Sequence, residues 1–466
     1  MPLWPNSGPH GASELCPEHV RVEGMTASFD QAHDPADAPD AEVVNLCAEL
    51  IRFDSSNFGD STGPGERAVA EHVAGLLDEV GIHSDLYESE PGRTSLIAHW
   101  GGDIGDPLLI HGHLDVVPAV SSDWQVAPFS GEIKDGMVWG RGAVDMKDFD
   151  AMLLSVVRAR VRRGDLPSRP IVLCFTADEE AGGGLGAGHL VEHCREHFEG
   201  VTEAIGEVGG FSTTVKGRRL YLIEAAEKGM AWLRLHSKGS AGHGSMVHPD
   251  NAVTRLCAAV ARIGAHEWPV RLTPTMQVLL AAVGELAEVT ATPENAESLI
   301  AEFGPAARML GAAIRNTANP SMLDAGYKVN VVPGVAEARI DGRMLPGYED
   351  EFFETLFQLA GPDIEITSDV QLGALENSFT GDLAQAMTSA LLEQDQDALV
   401  APYLMSGGTD AKHFDTLGIR SFGFTPLRLP EDLDFTALFH GVDERVPMES
   451  LRFGARVLDG FLDQIG

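Results

Sequence analysis

The chain has 466 residues, of which 44% are hydrophobic and 22% charged, a composition that excludes disorder and a length that predicts two domains. Seventy acidic against 33 basic residues leave a formal charge of −37, which repels nucleic acid and anionic membranes, and no apolar run approaches the ~20 residues of a membrane span. The N-terminus shows neither a basic segment nor an apolar h-region, and the five scattered cysteines lack C-x-x-C spacing, so the expectation is a reduced, cytoplasmic protein.

Residues 1–40, rich in Pro, Gly, Asp and Ala and without periodicity, read as a mobile extension in which Met25 is an alternative start. Helix-type apolar spacing covers 41–53 and 66–80, and strands are expected near 84–89, 94–100 and 107–117. A helix is predicted from Lys147 to Arg163, where MLLSVVRARV gives an apolar stripe ending in arginines that suit a helix C-terminus. A buried strand over 171–175 follows. This alternation predicts a mostly parallel sheet with helices on both faces.

Near Glu227 the rhythm changes. GMAWLRLHS alternates as a half-exposed antiparallel strand does, 250–265 has helical spacing, and 327–344 reads as a strand pair around Val332, Pro333 and Gly334. A helix over 349–360 and a strand over 363–369 complete the order strand, helix, two strands, helix, strand, the ferredoxin-like split pattern. Larger elements return after about residue 373, with helices near 381–394 and 448–464. The expected architecture is an α/β main domain, residues 41–226 and 373–466, interrupted by a smaller ferredoxin-like α+β domain over 227–372.

Chemistry-bearing residues gather at the predicted strand ends. IHGHLDVVPA places His113 and Asp115 two residues apart on one strand face, where a carboxylate can take one ring N–H and leave the other nitrogen for a metal. WGRGAVDMKD sets Asp145 behind glycines that permit a sharp turn, and FTADEEAGGG sets Glu179 and Glu180 just past a buried strand. Two adjacent carboxylates repel, which calls for a cation nearby. AIGEVGGF and LFHGVDERVP add Glu207 and His440. Open α/β sheets carry their sites at the carboxyl ends of strands. Two imidazoles with three or four carboxylates suit a pair of ions such as zinc, one carboxylate bridging and a surplus glutamate left as base. His111 and His413 read as structural polar residues.

In chain order, HLDVVPA, WGRGAVDMK, ADEEAGG, GEVGG, SAGHGS, NVVPG, SGGTDAKHF and HGVDERV resemble the motifs of a dinuclear zinc peptidase family. That family includes glutamate carboxypeptidase, aminoacylase, acetylornithine deacetylase, succinyl-diaminopimelate desuccinylase and carboxypeptidase S-like enzymes. The resemblance runs from about residue 42 to the end, and the long segment 266–325 resembles the extended lid of the carboxypeptidase S-like members. It implies Asp145 as the bridging carboxylate, His113 and Glu207 completing one metal site, and Glu180 with His440 the other. The implied cofactors are two zinc ions per subunit, with cobalt able to substitute. Asp115 would orient His113, and Glu179 would be the general base, moving a proton from a zinc-bridging water to the leaving amine. The peptide after Asp145 is expected to be cis, and Glu207 stands where some relatives carry aspartate.

The smaller domain resembles the family's dimerisation lid. His243 would reach into the neighbouring subunit of a homodimer and stabilise the oxyanion. Asn330 and Arg343 would grip the substrate carboxylate, with N–H donors added by the backbone of Ser406, Gly407, Gly408 and Thr409. The implied reaction is hydrolysis of an amide next to a free α-carboxylate, in a dipeptide, at a C-terminal residue or in an N-acyl amino acid. N-acyl-diamino acid deacylation and a non-catalytic homologue are the alternatives, while HLDVVPA speaks against a carbamoylase.

Overall fold

The computed structural model describes residues 35–60 and 62–465; most of the expected extension, including Met25, lies outside the described residues. Helices Val43–Ile51 and Arg67–Asp78 open the fold. Val43, Leu46, Cys47 and Leu50 are buried at helical spacing and pack into one core with helix Lys147–Arg163. That third helix ends at Gly164, whose φ of +70° supplies the left-handed turn that stops it.

The large sheet is mixed. Its central strands Pro170–Thr176, Leu108–His113, Glu203–Gly206 and Arg420–Gly423 run parallel in that spatial order. Strands Arg93–Gly101 and Ser84–Glu90 extend one edge antiparallel, and Arg218–Glu227 joins the other side, paired in parallel with Leu399–Met405. All six residues of Leu108–His113 are buried, as a strand covered on both faces requires. Because the parallel strands are aligned, with His113 opposite Thr176, their carboxyl ends share one rim.

The small sheet is antiparallel, in the order Thr317–Ala325, Val335–Met344, Gly229–Lys238, Ile364–Leu372. Helices Ala252–Gly264 and Glu349–Ala360 pack on it to form a second core, which gives the ferredoxin-like split pattern. Its hairpin starts earlier than the expected pair within 327–344: the first strand is Thr317–Ala325, and the intervening Val331–Val332 pairs instead with Gly242–His243. Within the segment 266–325, helix Pro274–Leu286 begins at an N-cap, Thr273, followed by proline at the first position. Its buried residues Met276, Leu279, Leu280 and Val283 belong to the large core, as do Leu299, Phe303 and Leu310 beyond it. The chain passes between the two sheets twice, at 227–229 and 372–375, and these crossings run side by side: Met230 pairs with Leu372 and Glu227 with Leu375. Among the described residues no helix is long and apolar enough to cross a membrane.

Candidate metal centre

The rim of the parallel strands brings two ligand groups together: His113, Asp145 and Glu207, and Asp145, Glu180 and His440. Within each group the potential donor atoms lie within 4.8 Å of one another, and Asp145 belongs to both. His113 Nε2 stands 3.1 Å from Asp145 Oδ1 and 3.4 Å from Glu207 Oε2. His440 Nε2 stands 3.2 Å from Asp145 Oδ2 and 3.0 Å from Glu180 Oε2. The Asp145–Met146 peptide is cis.

Each side chain has a local reason to be there. His113 is the last residue of its strand, and its Nδ1 lies 2.9 Å from the Asp115 carbonyl. A carbonyl can only accept, so Nδ1 carries a proton and Nε2 is the nitrogen left to face the carboxylates. The Asp115 carboxylate, 3.6 Å from the ring, also accepts the backbone N–H groups of Glu179 and Glu180, each at 3.1 Å, and Asn57 Nδ2 at 2.9 Å. Asp115 therefore fixes the acidic loop and stands against the imidazole with both its carbonyl and its carboxylate. Two turns aim that loop and the neighbouring one, with Asp178 at φ +66° and Val208, next to Glu207, at φ +51°. Left-handed backbone is strained for a β-branched residue and is held by its surroundings.

Four carboxylates, Asp145, Glu179, Glu180 and Glu207, face two imidazoles, and the charge balance shows in their proton affinities. Burial pushes Glu207 up to about 8, and burial together with Glu207 pushes Glu179 well above the usual carboxylate range. Burial and the Asp145 charge also raise Glu180. Burial acts to raise Asp145, but hydrogen bonds from His113 and His440 hold it below its ordinary value. Hydrogen bonds to Asp145 and Glu180 push His440 up to about 10. A donor set of nitrogen and oxygen atoms carrying excess negative charge fits divalent cations, which would replace these protons. His111, by contrast, is buried against Phe414, and burial takes it down to about 3. It is a neutral packing residue, and His413 Nε2 donates to the Gly182 carbonyl at 2.8 Å.

A cavity of about 360 Å³ opens over this centre, lined by Asp145, Glu179, Glu180, Glu207 and His440 at one end and by Ser406 to Asp410 at another. The small sheet adds Met230, Trp232, Arg343 and Leu372, and the segment 266–325 adds Met309. Arg343 is braced by Asp341, with Nε 2.7 Å from Oδ1. Thr409 gives both its N–H and its hydroxyl to Glu227, so Gly407 and Gly408 are left as the loop's candidate donors. His243 and Asn330 lie side by side outside this cavity: Gly244 N donates to Asn330 O at 3.0 Å, and both residues are exposed.

Sequence reasoning missed Glu444, although it sits in the HGVDERV stretch. Its fully buried carboxylate accepts from Val144 N at 2.7 Å, Gly142 N at 3.1 Å and Asp145 N at 3.2 Å, and pairs with Arg141 at 2.6 Å. These bonds bend the 141–145 loop so that Asp145 points at both histidines. Glu444→Ala strands a buried guanidinium and three N–H groups, so metal-free protein is expected to lose about 3–5 kcal/mol in urea unfolding. A loss below about 1 kcal/mol, the worth of an exposed pair, would contradict this anchoring role.

The profile of the peptidase family M20/M25/M40 matches residues 109–464. A probable carboxypeptidase S-like 2 of Dictyostelium discoideum is 29% identical over 438 residues, covering 89% of this chain and 83% of the relative. The human N-fatty-acyl-amino acid synthase/hydrolase PM20D1 is 28% identical over 365 residues, 74% of this chain and 71% of the relative. Among solved structures, an M20 family metallo-carboxypeptidase of Sulfolobus solfataricus superposes with a TM-score of 0.70 at 20% identity, covering 91% of this chain and 99% of that one.

Proposed function

The chain belongs to the M20/M25/M40 peptidase family, a metal-dependent family of hydrolases, and on that premise we propose that it cleaves an amide bond beside a free α-carboxylate. Its substrate is a dipeptide, a C-terminal residue or an N-acyl amino acid. The observation that carries this reading is one cavity joining two ligand groups that share Asp145, a neighbouring Glu179 outside both groups, and the Arg343 guanidinium. Residues 41–226 and 373–466 act as the catalytic domain and 227–372 as the lid, except that the stretch from helix Pro274–Leu286 to Leu310 packs into the catalytic domain's core.

Two divalent cations, zinc by donor type with cobalt able to substitute, fit His113, Asp145 and Glu207 on one side and Asp145, Glu180 and His440 on the other. Bound there, they supply Lewis-acid polarisation and make a water acidic enough to attack near neutral pH. Glu179 accepts the proton of the attacking water and returns it to the leaving amine. Arg343 meets the substrate carboxylate with its fork, which suits a planar anion, and the N–H groups of Gly407 and Gly408 complete that grip. Beside Lys412 and Thr436, the side chains of Met230, Trp232, Met309, Leu372, Met405 and Phe439 give the wall a largely apolar stretch, which favours an apolar acyl or side-chain group over the polar diamino acids of the deacylase alternative.

His243 completes the site from a second copy. It is exposed on the lid beside Asn330, near the edge strand Thr317–Ala325, where Met322 is 68% and Leu323 57% exposed. An edge strand with such apolar exposure favours pairing with another chain.

The test is a panel of dipeptides and N-acyl amino acids, each with its C-terminal amide, against zinc- and cobalt-loaded protein. Loss of the carboxylate removes charge-assisted hydrogen bonds worth about 1.5–3 kcal/mol each, so kcat/KM is expected to fall by about 10–100-fold, mainly through KM. Equal rates on free and blocked members would remove Arg343 and the 406–409 loop from this role.

A further inference from the structure

Lys412 is a buried lysine in the cavity wall, with no part in the chemistry outlined above. It is 6% exposed, and its ammonium has three donors with three acceptors around them. Nζ lies 2.9 Å from the Lys228 carbonyl, 3.0 Å from the Gly373 carbonyl and 3.0 Å from Glu227 Oε2. Lys228 and Gly373 stand on the two crossings between the sheets, so a single side chain from helix Ala411–Asp415 holds both.

The same contacts reach the substrate loop. Glu227, 1% exposed, accepts Thr409 N at 3.1 Å and Thr409 Oγ1 at 2.5 Å, and Lys228 N donates to Met405 O at 3.0 Å. The loop rests directly on the lysine stem: a Cβ at Gly408 would lie 2.5 Å from Lys412 Cε. On the other side, Met230 directly follows the first crossing and pairs across the small sheet with Arg343. Arg343 on one wall and Gly407 with Gly408 on the other are thus referred to one point.

We propose that Lys412 is a positioning residue that sets the separation between Arg343 and the 406–409 loop by clamping both crossings to Glu227. This rests on the reading of the cavity as a carboxylate grip. A two-sided grip on a carboxylate tolerates displacements of only about 0.5 Å before its hydrogen bonds weaken. Losing the ammonium frees two carbonyls and leaves a buried Glu227 charge without its counter-ion, so both walls lose their common reference.

The experiment compares Lys412→Met with the double variant Lys412→Met/Glu227→Gln, which removes both charges and so avoids stranding a buried one. The probe is the panel member that the wild type turns over fastest, together with its C-terminal amide. Metal content is expected to stay at the wild-type value. KM for the free acid rises about tenfold, the worth of one weakened charge-assisted hydrogen bond, with kcat changing little. The preference for acid over amide shrinks by the same factor, and Lys412→Arg, which keeps the charge, recovers part of it. Amide hydrogen exchange at Lys228 and Thr409 speeds up together in Lys412→Met, where the Glu227 carboxylate that accepts Thr409 N is kept. A lower Tm with an unchanged acid-over-amide preference makes Lys412 merely structural and overturns the proposal, as does exchange at wild-type rates. If the wild type itself shows no preference, the carboxylate reading fails, and the exchange measurement still decides whether Lys412 couples the crossings to the loop.

Discussion

Replacing Glu179 with glutamine is expected to leave the metal content unchanged and to lower kcat by about 10²–10⁴, the contribution of a positioned general base. Glu179 belongs to neither ligand group, and its nearest approach to His113 Nε2 is 3.8 Å. Burial and the neighbouring Glu207 raise its proton affinity well above that of an ordinary carboxylate. A base must hold the proton it removes until the leaving amine takes it, and this environment favours holding. Glutamine keeps the shape and the loop anchored on Asp115, but cannot accept that proton. Glu180→Gln gives the opposite pattern, because Glu180 contacts His440 within a ligand group; metal is then lost along with activity. Elemental analysis with steady-state kinetics on both variants separates the two glutamates. Glu179→Gln protein that keeps wild-type turnover would end the base assignment.

The second large effect belongs to His243. One oxyanion donor is worth roughly 10²–10³ in kcat, so His243→Ala should lose that much while binding metal normally. Its imidazole is exposed on the lid, with Nδ1 2.8 Å from Ser245 Oγ, outside the cavity of its own chain. Complementation tests which chain it serves. If the chain forms the proposed two-fold dimer, mixing inactive Glu179→Gln and His243→Ala proteins gives heterodimers in which one of two sites has both a base and a histidine. Random exchange then returns activity to about one quarter of wild type in a two-fold dimer. Demonstrated exchange without recovery would mean that each His243 acts in its own chain or not at all.

Much of the site is legible in the sequence because its residues end short, apolar, buried strands. Leu108, Leu109 and Ile110 announce one such strand, and the glycines around Asp145, Glu180 and Glu207 mark the turns beyond others. The further contacts of Asp115 are not legible there: the strand ends at His113, so the Asp115 carboxylate also turns toward the acidic loop. Strand Thr317–Ala325 was missed because it lies on an edge: residues 319–325 are exposed, and Pro320 interrupts the pattern. Burial writes no alternation there. Glu444 and Lys412 were invisible because their partners lie far away in the chain, around residues 141–145 for one and 227, 228 and 373 for the other. Local patterns carry no record of such pairings.

The central sheet also imposes an order on synthesis. Strand Arg420–Gly423 lies between Glu203–Gly206 and Arg218–Glu227, strands made some two hundred residues earlier. Until it emerges from the ribosome, Glu203–Gly206 has an open edge, the kind of exposed pairing surface that favours aggregation and chaperone capture. The small sheet has no such wait, because all four of its strands lie between residues 229 and 372. It can close while the larger sheet is still missing its middle. His440 comes later again, so no nascent chain that stops short of it holds both ligand groups. A ribosome that stalls before His440 therefore releases a fragment in which the second ligand group is incomplete.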